Sequence, residues 1–255
     1  MAHGNLNLDL TCYNNSIYKV GMGSAGNLIE VENSAWTFDG IADSFDTHIK
    51  SSVPFYKEAH DLGISLSDFF IRDGSVVYDI GCSTGTFLNL LWSSKKDKTP
   101  SLYGLDVVSS MIDYAEKNKV NENINFLNEN ISEYEFNCCS YITSFYSIQF
   151  IPPSVRQSVL NKVYQALEWG GAFLLFEKTR APDARFQDIS SQLYNQFKLA
   201  QGYTADEILS KQSSLKSVLE PFSTQGNLDL LKRAGFVDIM PVFKYICFEG
   251  FLCIK

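Results

Sequence analysis

At 255 residues, with 45% hydrophobic and 14% aromatic residues, the chain has ample material for one large buried core. Its formal charge of −8, with no run of Lys and Arg, excludes a surface built to neutralise phosphates, so direct nucleic-acid binding is not expected. No apolar stretch approaches the length of a membrane span, and no basic-then-apolar leader opens the sequence, so no membrane association is expected.

In chain order, residues 1–33 are rich in Asn, Gly and Ser and read as irregular, and helices are expected within 30–74. SVVYDI (75–80) reads as a buried strand, and TFLNLLWSS after it has helical spacing. SLYGLD (101–106) is a second strand. Its following helix aligns Val108, Met111, Ile112 and Ala115 on one face. INFLN (124–128) and SYITSF (140–145) are two further strands. SVRQSVLNKVYQALE (154–168) reads as an amphipathic helix behind Pro152 and Pro153, with a glycine stop before the strand GGAFLLFEK (170–178).

Residues from about 181 to 223 then form a helical insertion. The final GFVDIMPVFKYICFEGFLCIK reads as two strands in an antiparallel hairpin at the sheet edge. Strand–helix alternation implies right-handed crossovers, hence a doubly wound, mostly parallel sheet of Rossmann-like α/β class. The expected organisation is one domain over 34–255, carrying the insertion.

The six cysteines (12, 82, 138, 139, 247 and 253) lack the paired spacing of a zinc or redox site. They read as reduced thiols in a cytoplasmic protein, and no metal site is expected.

The chemistry concentrates in VVYDIGCSTG (76–85). Ligands of open parallel sheets bind beyond the carboxyl ends of strands, at the point where strand order reverses. Gly81 and Gly85 follow the first sheet strand, where glycine permits left-handed backbone and close approach to a ligand. Asp106 closes the second strand, where a carboxylate can accept both hydroxyls of a ribose; Val107 follows it. The G-x-G-x-x-G spacing that cradles a diphosphate is absent, and Asp79 stands just before the turn, where its charge opposes phosphates. This favours S-adenosylmethionine over NAD or a purely structural turn.

The blocks DIGCSTG, WTFD (36–39), SVPFY (52–56), IQFIPPSVRQ (148–157), WGGAFLLFEK (169–178) and FKLAQGYTADEI (197–208) carry a closer likeness. Through them the chain resembles the carboxy-S-adenosylmethionine synthases over roughly residues 34–255. These are class I methyltransferase-fold enzymes of a tRNA wobble-uridine pathway.

The resemblance implies a seven-stranded sheet with an antiparallel last strand, a homodimer, and conversion of S-adenosylmethionine and prephenate into carboxy-S-adenosylmethionine. It implies cofactor contacts from Tyr56, from Gly81, Cys82 and Ser83 around the methionine end, and from Asp106 to the ribose. Asn130 and Ile131 fall near the adenine. Gln212 stands where the family has a carboxylate-gripping arginine, and Phe145 where it has a pocket asparagine. Lys211, adjacent to Gln212, is expected to point elsewhere on a helix.

These two departures favour methyl transfer to a small-molecule acceptor, with S-adenosylhomocysteine as by-product. The alternatives are retained carboxy-S-adenosylmethionine synthesis and a noncatalytic S-adenosylmethionine-binding subunit. Tyr56 and Gln212 are the catalytic candidates, and His48, His60, Glu177 and Tyr56 the possible general bases, with no choice among them. Phe186, Tyr194, Phe197 and Tyr203 read as core or dimer contacts more than as an acceptor pocket. Asp183, Lys198 and Glu207 read as a solvated helix face.

Overall fold

A computed structural model describes residues 38–255 and the short antiparallel pair β1 (Gly23–Ser24) and β2 (Glu30–Val31). The rest of the expected irregular segment, with Trp36, Thr37 and Cys12, lies outside the described residues.

The main sheet comprises β3 (Val76–Ile80), β4 (Ser101–Asp106), β5 (Ile124–Asn128), β6 (Cys139–Phe145), β7 (Leu167–Lys178), β8 (Asp238–Tyr245) and β9 (Phe248–Ile254). Their order is β5-β4-β3-β6-β7-β9-β8. β9 runs antiparallel to both its neighbours, and the other strands run one way. Every residue of β6 is buried, which is why it reads as a continuous run rather than an alternation.

The sheet is covered on both faces. Consecutive Val77 and Tyr78 enter opposite cores, as the strand period of two requires. One core takes Leu88 and Leu91 of α3 (Thr86–Lys95) and Ile112 of α4 (Ser109–Lys117). The other takes Val159 and Val163 of α5 (Pro153–Ala166) and Leu230 and Leu231 of α8 (Thr224–Ala234). The helices expected ahead of the sheet are α1 (Ala42–Ser52) and α2 (Tyr56–Leu66).

The structure differs from expectation in two places. α5 ends at Ala166 rather than 168, and Gly170 is no helix stop but sits within β7 at φ +81°. Buried Leu167 already pairs with Cys139, and a register shift between Cys139 and Tyr141 absorbs the left-handed glycine. The helix α8 was not assigned from the sequence; Ser223 caps it by accepting the Gly226 N–H at 3.1 Å.

The insertion consists of α6 (Ala184–Ala200) and α7 (Ala205–Ser214). Asp183 caps α6 through the Phe186 N–H, and Thr204 and Glu207 form a reciprocal capping box on α7. Both acids serve helix ends, a role more specific than a solvated face.

Candidate active site

Strand order reverses at β3, with β4 and β5 on one side and β6 on the other. The crevice expected there is lined by the turn after β3. Gly81 adopts φ +71°, and a Cβ on it would stand 2.1 Å from Ser147 Oγ, so only glycine lets the loop pass the end of β6. Gly85 adopts φ +75° ahead of α3, where a Cβ would strike the Phe126 ring at 2.4 Å. Ser83 is left-handed without being glycine. Its N–H donates to Asp106 Oδ2 at 2.9 Å, while Asp106 Oδ1 accepts the Val108 N–H at 3.0 Å. The acid is thus fixed by main chain, and a carboxylate has acceptor capacity left for a diol.

Asp79 is buried, accepts the Thr143 hydroxyl at 2.7 Å, and has its pKa pushed up to about 7 by burial. Burial therefore disfavours a full negative charge beside the turn. Burial also pushes the Asp106 carboxyl upward, against the main-chain N–H groups of Val108, Ser83 and Val107. The Cys82 thiol packs beneath Gly104, where a Cβ would meet Sγ at 2.8 Å, and burial drives its pKa well up.

A cavity of about 1190 Å³ opens over this turn and extends to the inner sides of α6 and α7. Every residue expected to contact the cofactor lines it except Gly85, which shapes the turn from behind. Tyr56 follows Phe55, itself at φ +57°, and tilts over His60 with ring centroids 4.4 Å apart. Burial, reinforced by Asp46 and Asp79, drives the Tyr56 phenol above the ordinary tyrosine range, so it is a hydrogen-bond donor rather than a base. Phe145 lies between His60 and Phe87, at 4.6 and 4.8 Å. Asn130 turns its Oδ1 onto the Ser132 N–H at 3.0 Å, leaving its amide N–H groups and one lone pair.

The base candidates separate. His60 lines the cavity, with its pKa pushed down to about 4 by burial. His48 also lines it, lowered to about 3 by burial and by Lys211, and both rings are neutral at pH 7. Glu177 does not line the cavity, and burial pushes its carboxyl up to about 8 against the pull of Arg156. That corrects its candidacy as a base.

The insertion departs further from expectation. Gln212 reaches the cavity wall, but its amide donates to Asn195 Oδ1 at 3.0 Å. Lys211 does not point away: it is 9% exposed, its Nζ lying 2.5 Å from His48 Nε2 and 2.7 Å from Ser52 Oγ. Lys198, expected on a solvated face, is 3% exposed and lines the cavity with Tyr194 and Lys178. Phe186, by contrast, is 54% exposed. Sequence reasoning also missed Asp46 of α1, which accepts the hydroxyls of Thr84 and Thr86, both at 2.8 Å, and ties that helix to the turn. The signal available was the pair of threonines flanking Gly85.

Comparison with known proteins bears on the chemistry. A family model described as a methyltransferase domain matches residues 77–171, the turn and the sheet around it. The carboxy-S-adenosyl-L-methionine synthase of Staphylococcus epidermidis is 36% identical over 222 residues, covering 86% of this chain and 97% of that protein. The chain belongs to the carboxy-S-adenosyl-L-methionine synthase family.

A second family member, from Nautilia profundicola, is 36% identical over 218 residues, covering 84% of this chain and 92% of its own. Both alignments are far longer than the matched domain. Among solved structures, an O-methyltransferase family protein from Burkholderia thailandensis matches with a TM-score of 0.59 at 15% identity, over 84% of this chain and 59% of that one. Human N-acetylserotonin methyltransferase matches with a TM-score of 0.54 at 16% identity, over 84% and 53%. This member of the synthase family has the class I methyltransferase fold.

Proposed function

We propose that this chain retains the family's own reaction: it binds S-adenosylmethionine at the turn after β3 and carboxylates the sulfonium methyl at the expense of prephenate. The observation that carries the reading is the continuity of the cavity. It runs from Asp106 to α6 and α7, and at about 1190 Å³ it exceeds the usual single-ligand size of roughly 300–1,000 Å³.

In this reaction the sulfonium acidifies its own methyl C–H, which breaks as the new C–C bond forms. Prephenate gives up its ring carboxyl and, on aromatising, its ring hydroxyl, and that hydroxide leaves with the methyl proton as water. The protein's part is to place two molecules together and keep water out. Asp106 takes the ribose diol, and the main chain of Gly81–Ser83 faces the methionine end. Ile131 and Asn130 face the adenine. Tyr56 and the aromatic wall around Phe145 enclose the reacting carbon.

Methyl transfer to a small-molecule acceptor is the second reading, favoured by Gln212 and Phe145. A neutral amide grips a carboxylate less firmly than a bidentate guanidinium. Incubation with S-adenosylmethionine and prephenate, followed by mass analysis, separates the two. A carboxylated sulfonium is the expected product. S-adenosylhomocysteine with a methylated acceptor, and no carboxylated sulfonium, would refute carboxylation.

We treat residues 34–255 as one catalytic domain with an insertion over 181–223, working as a cytoplasmic homodimer without direct contact to nucleic acid. Among the described residues no helix is long and apolar enough to cross a membrane. The support for a dimer is the outward side of α6, where Phe186, Ile189 and Leu193 are all roughly half exposed at helical spacing.

A further inference from the structure

Buried ammonium groups require counter-charge, because desolvating a cation is costly unless an anion or acceptors replace the lost water. Lys178, the last residue of β7, and Lys198, in the final turns of α6, both line the cavity. Their Nζ atoms lie 4.5 and 4.6 Å from the centroid of one ring, that of Tyr194. The Tyr194 hydroxyl is committed to Ser52 O at 2.8 Å, so it offers the lysines only its face. Among the described residues neither ammonium has a carboxylate partner, and Lys198 is 3% exposed.

The neighbouring groups do not fill this role. Cys247 lines the same wall, but burial holds its thiol above its ordinary pKa, so it is no thiolate at neutral pH. Lys211 spends its contacts on His48 and Ser52, fastening α7 to α1. Burial and Lys178 together push the Lys198 ammonium down to about 8.

An aromatic path leads from this pair towards the turn. Tyr194 stands 5.3 Å from Phe248, Phe248 5.7 Å from Tyr146, and Tyr146 6.4 Å from Tyr56. A molecule lying along it would have a charged end at the lysines and an apolar body against the rings.

We propose that Lys178 and Lys198, flanking the Tyr194 ring, form an oxyanion subsite that takes a carboxylate of an organic acid, the second substrate. This rests on the reading that the cofactor occupies the Asp106 end of the same cavity. The lysines set the affinity and the orientation of the acid, and Lys211 is a positioning residue for the roof above it.

The test uses the full chain loaded with S-adenosylhomocysteine. Prephenate is titrated by calorimetry into wild type, Lys178→Met and Lys198→Met, with inorganic phosphate as a second probe. Loss of one charge-assisted contact predicts prephenate binding weaker by about tenfold or more in each variant. S-adenosylhomocysteine affinity should stay within about twofold, which also shows that the variants fold. Equal prephenate affinity in all three proteins overturns the subsite, as does phosphate binding as tight as prephenate.

If wild type takes up S-adenosylhomocysteine and no prephenate, the lysine ε-carbon resonances are followed by NMR against a panel of aryl and alkyl carboxylates. A rise in the Lys198 pKa with another acid supports the subsite while refuting prephenate as substrate. No shift with any of them overturns it.

Discussion

Gly81 shows how little freedom the site leaves a single residue. Its φ is +71°, and an added Cβ would overlap Ser147 Oγ, so a methyl group must bend the turn. Left-handed backbone costs an L-residue roughly 1–2 kcal/mol, and the clash adds to it. Gly81→Ala should therefore lower Tm by several degrees and weaken S-adenosylhomocysteine binding by more than about tenfold. Ser147→Gly in the same chain should recover part of the loss by making room. Unchanged melting and binding in Gly81→Ala would show that the approach is not tight.

Glu177 allows a pH test at the same scale. Burial pushes its carboxyl up to about 8, above the ordinary carboxylate value of the unfolded chain, and one carboxyl oxygen is buried without a hydrogen-bond partner. The protonated form thus favours the fold. Its contribution is complete below the ordinary value and is lost as pH rises through about 8. Glu177→Gln should fall less steeply in Tm than wild type between pH 5 and 9; parallel curves would contradict the shift.

Among the elements, the sheet strands were the most legible. β3, β4, β5 and β6 begin and end within a residue of the apolar runs that announced them, because β3 and β6 are buried on both faces, β4 and β5 bury alternate residues, and turn residues bound all four. The turn after β3 and Asp106 were legible for the same reason, since strand ends fix where ligand groups can stand. α6 was misread because its faces invert the usual rule: Phe186 and Ile189 look outward, while Lys198 is buried against a cavity. Spacing alone identifies a helix with two faces but not which of them meets a polar cavity. Gln212 and Lys211 fell to the same ambiguity on α7.

α1 was legible as a helix, but its attachment was not, since Asp46 is forty residues from Thr86 in sequence and reaches it only through the fold. Asp46→Ala removes both acceptors of the threonine hydroxyls. Amide exchange across α1 should quicken relative to α3, read by mass spectrometry. Equal protection of α1 in variant and wild type would show that the clasp carries no load.

For the molecule as a whole, strand order sets the position of the cavity and the insertion roofs it, leaving the apolar side of α6 facing outward. Light scattering should report twice the chain mass, and Ile189→Glu with Leu193→Glu should shift it towards monomer. A wild-type monomer would contradict the dimer.

The proposed chemistry depends on an adenosyl ligand held by Asp106 at the end of β4. Calorimetry of S-adenosylhomocysteine into wild type and Asp106→Ala is the most direct test. The account predicts one site per chain in wild type and at least about tenfold weaker binding without the carboxylate, the loss expected for a hydrogen-bonded charged group. No heat of binding in the folded wild-type protein, or equal affinity in the variant, would contradict it.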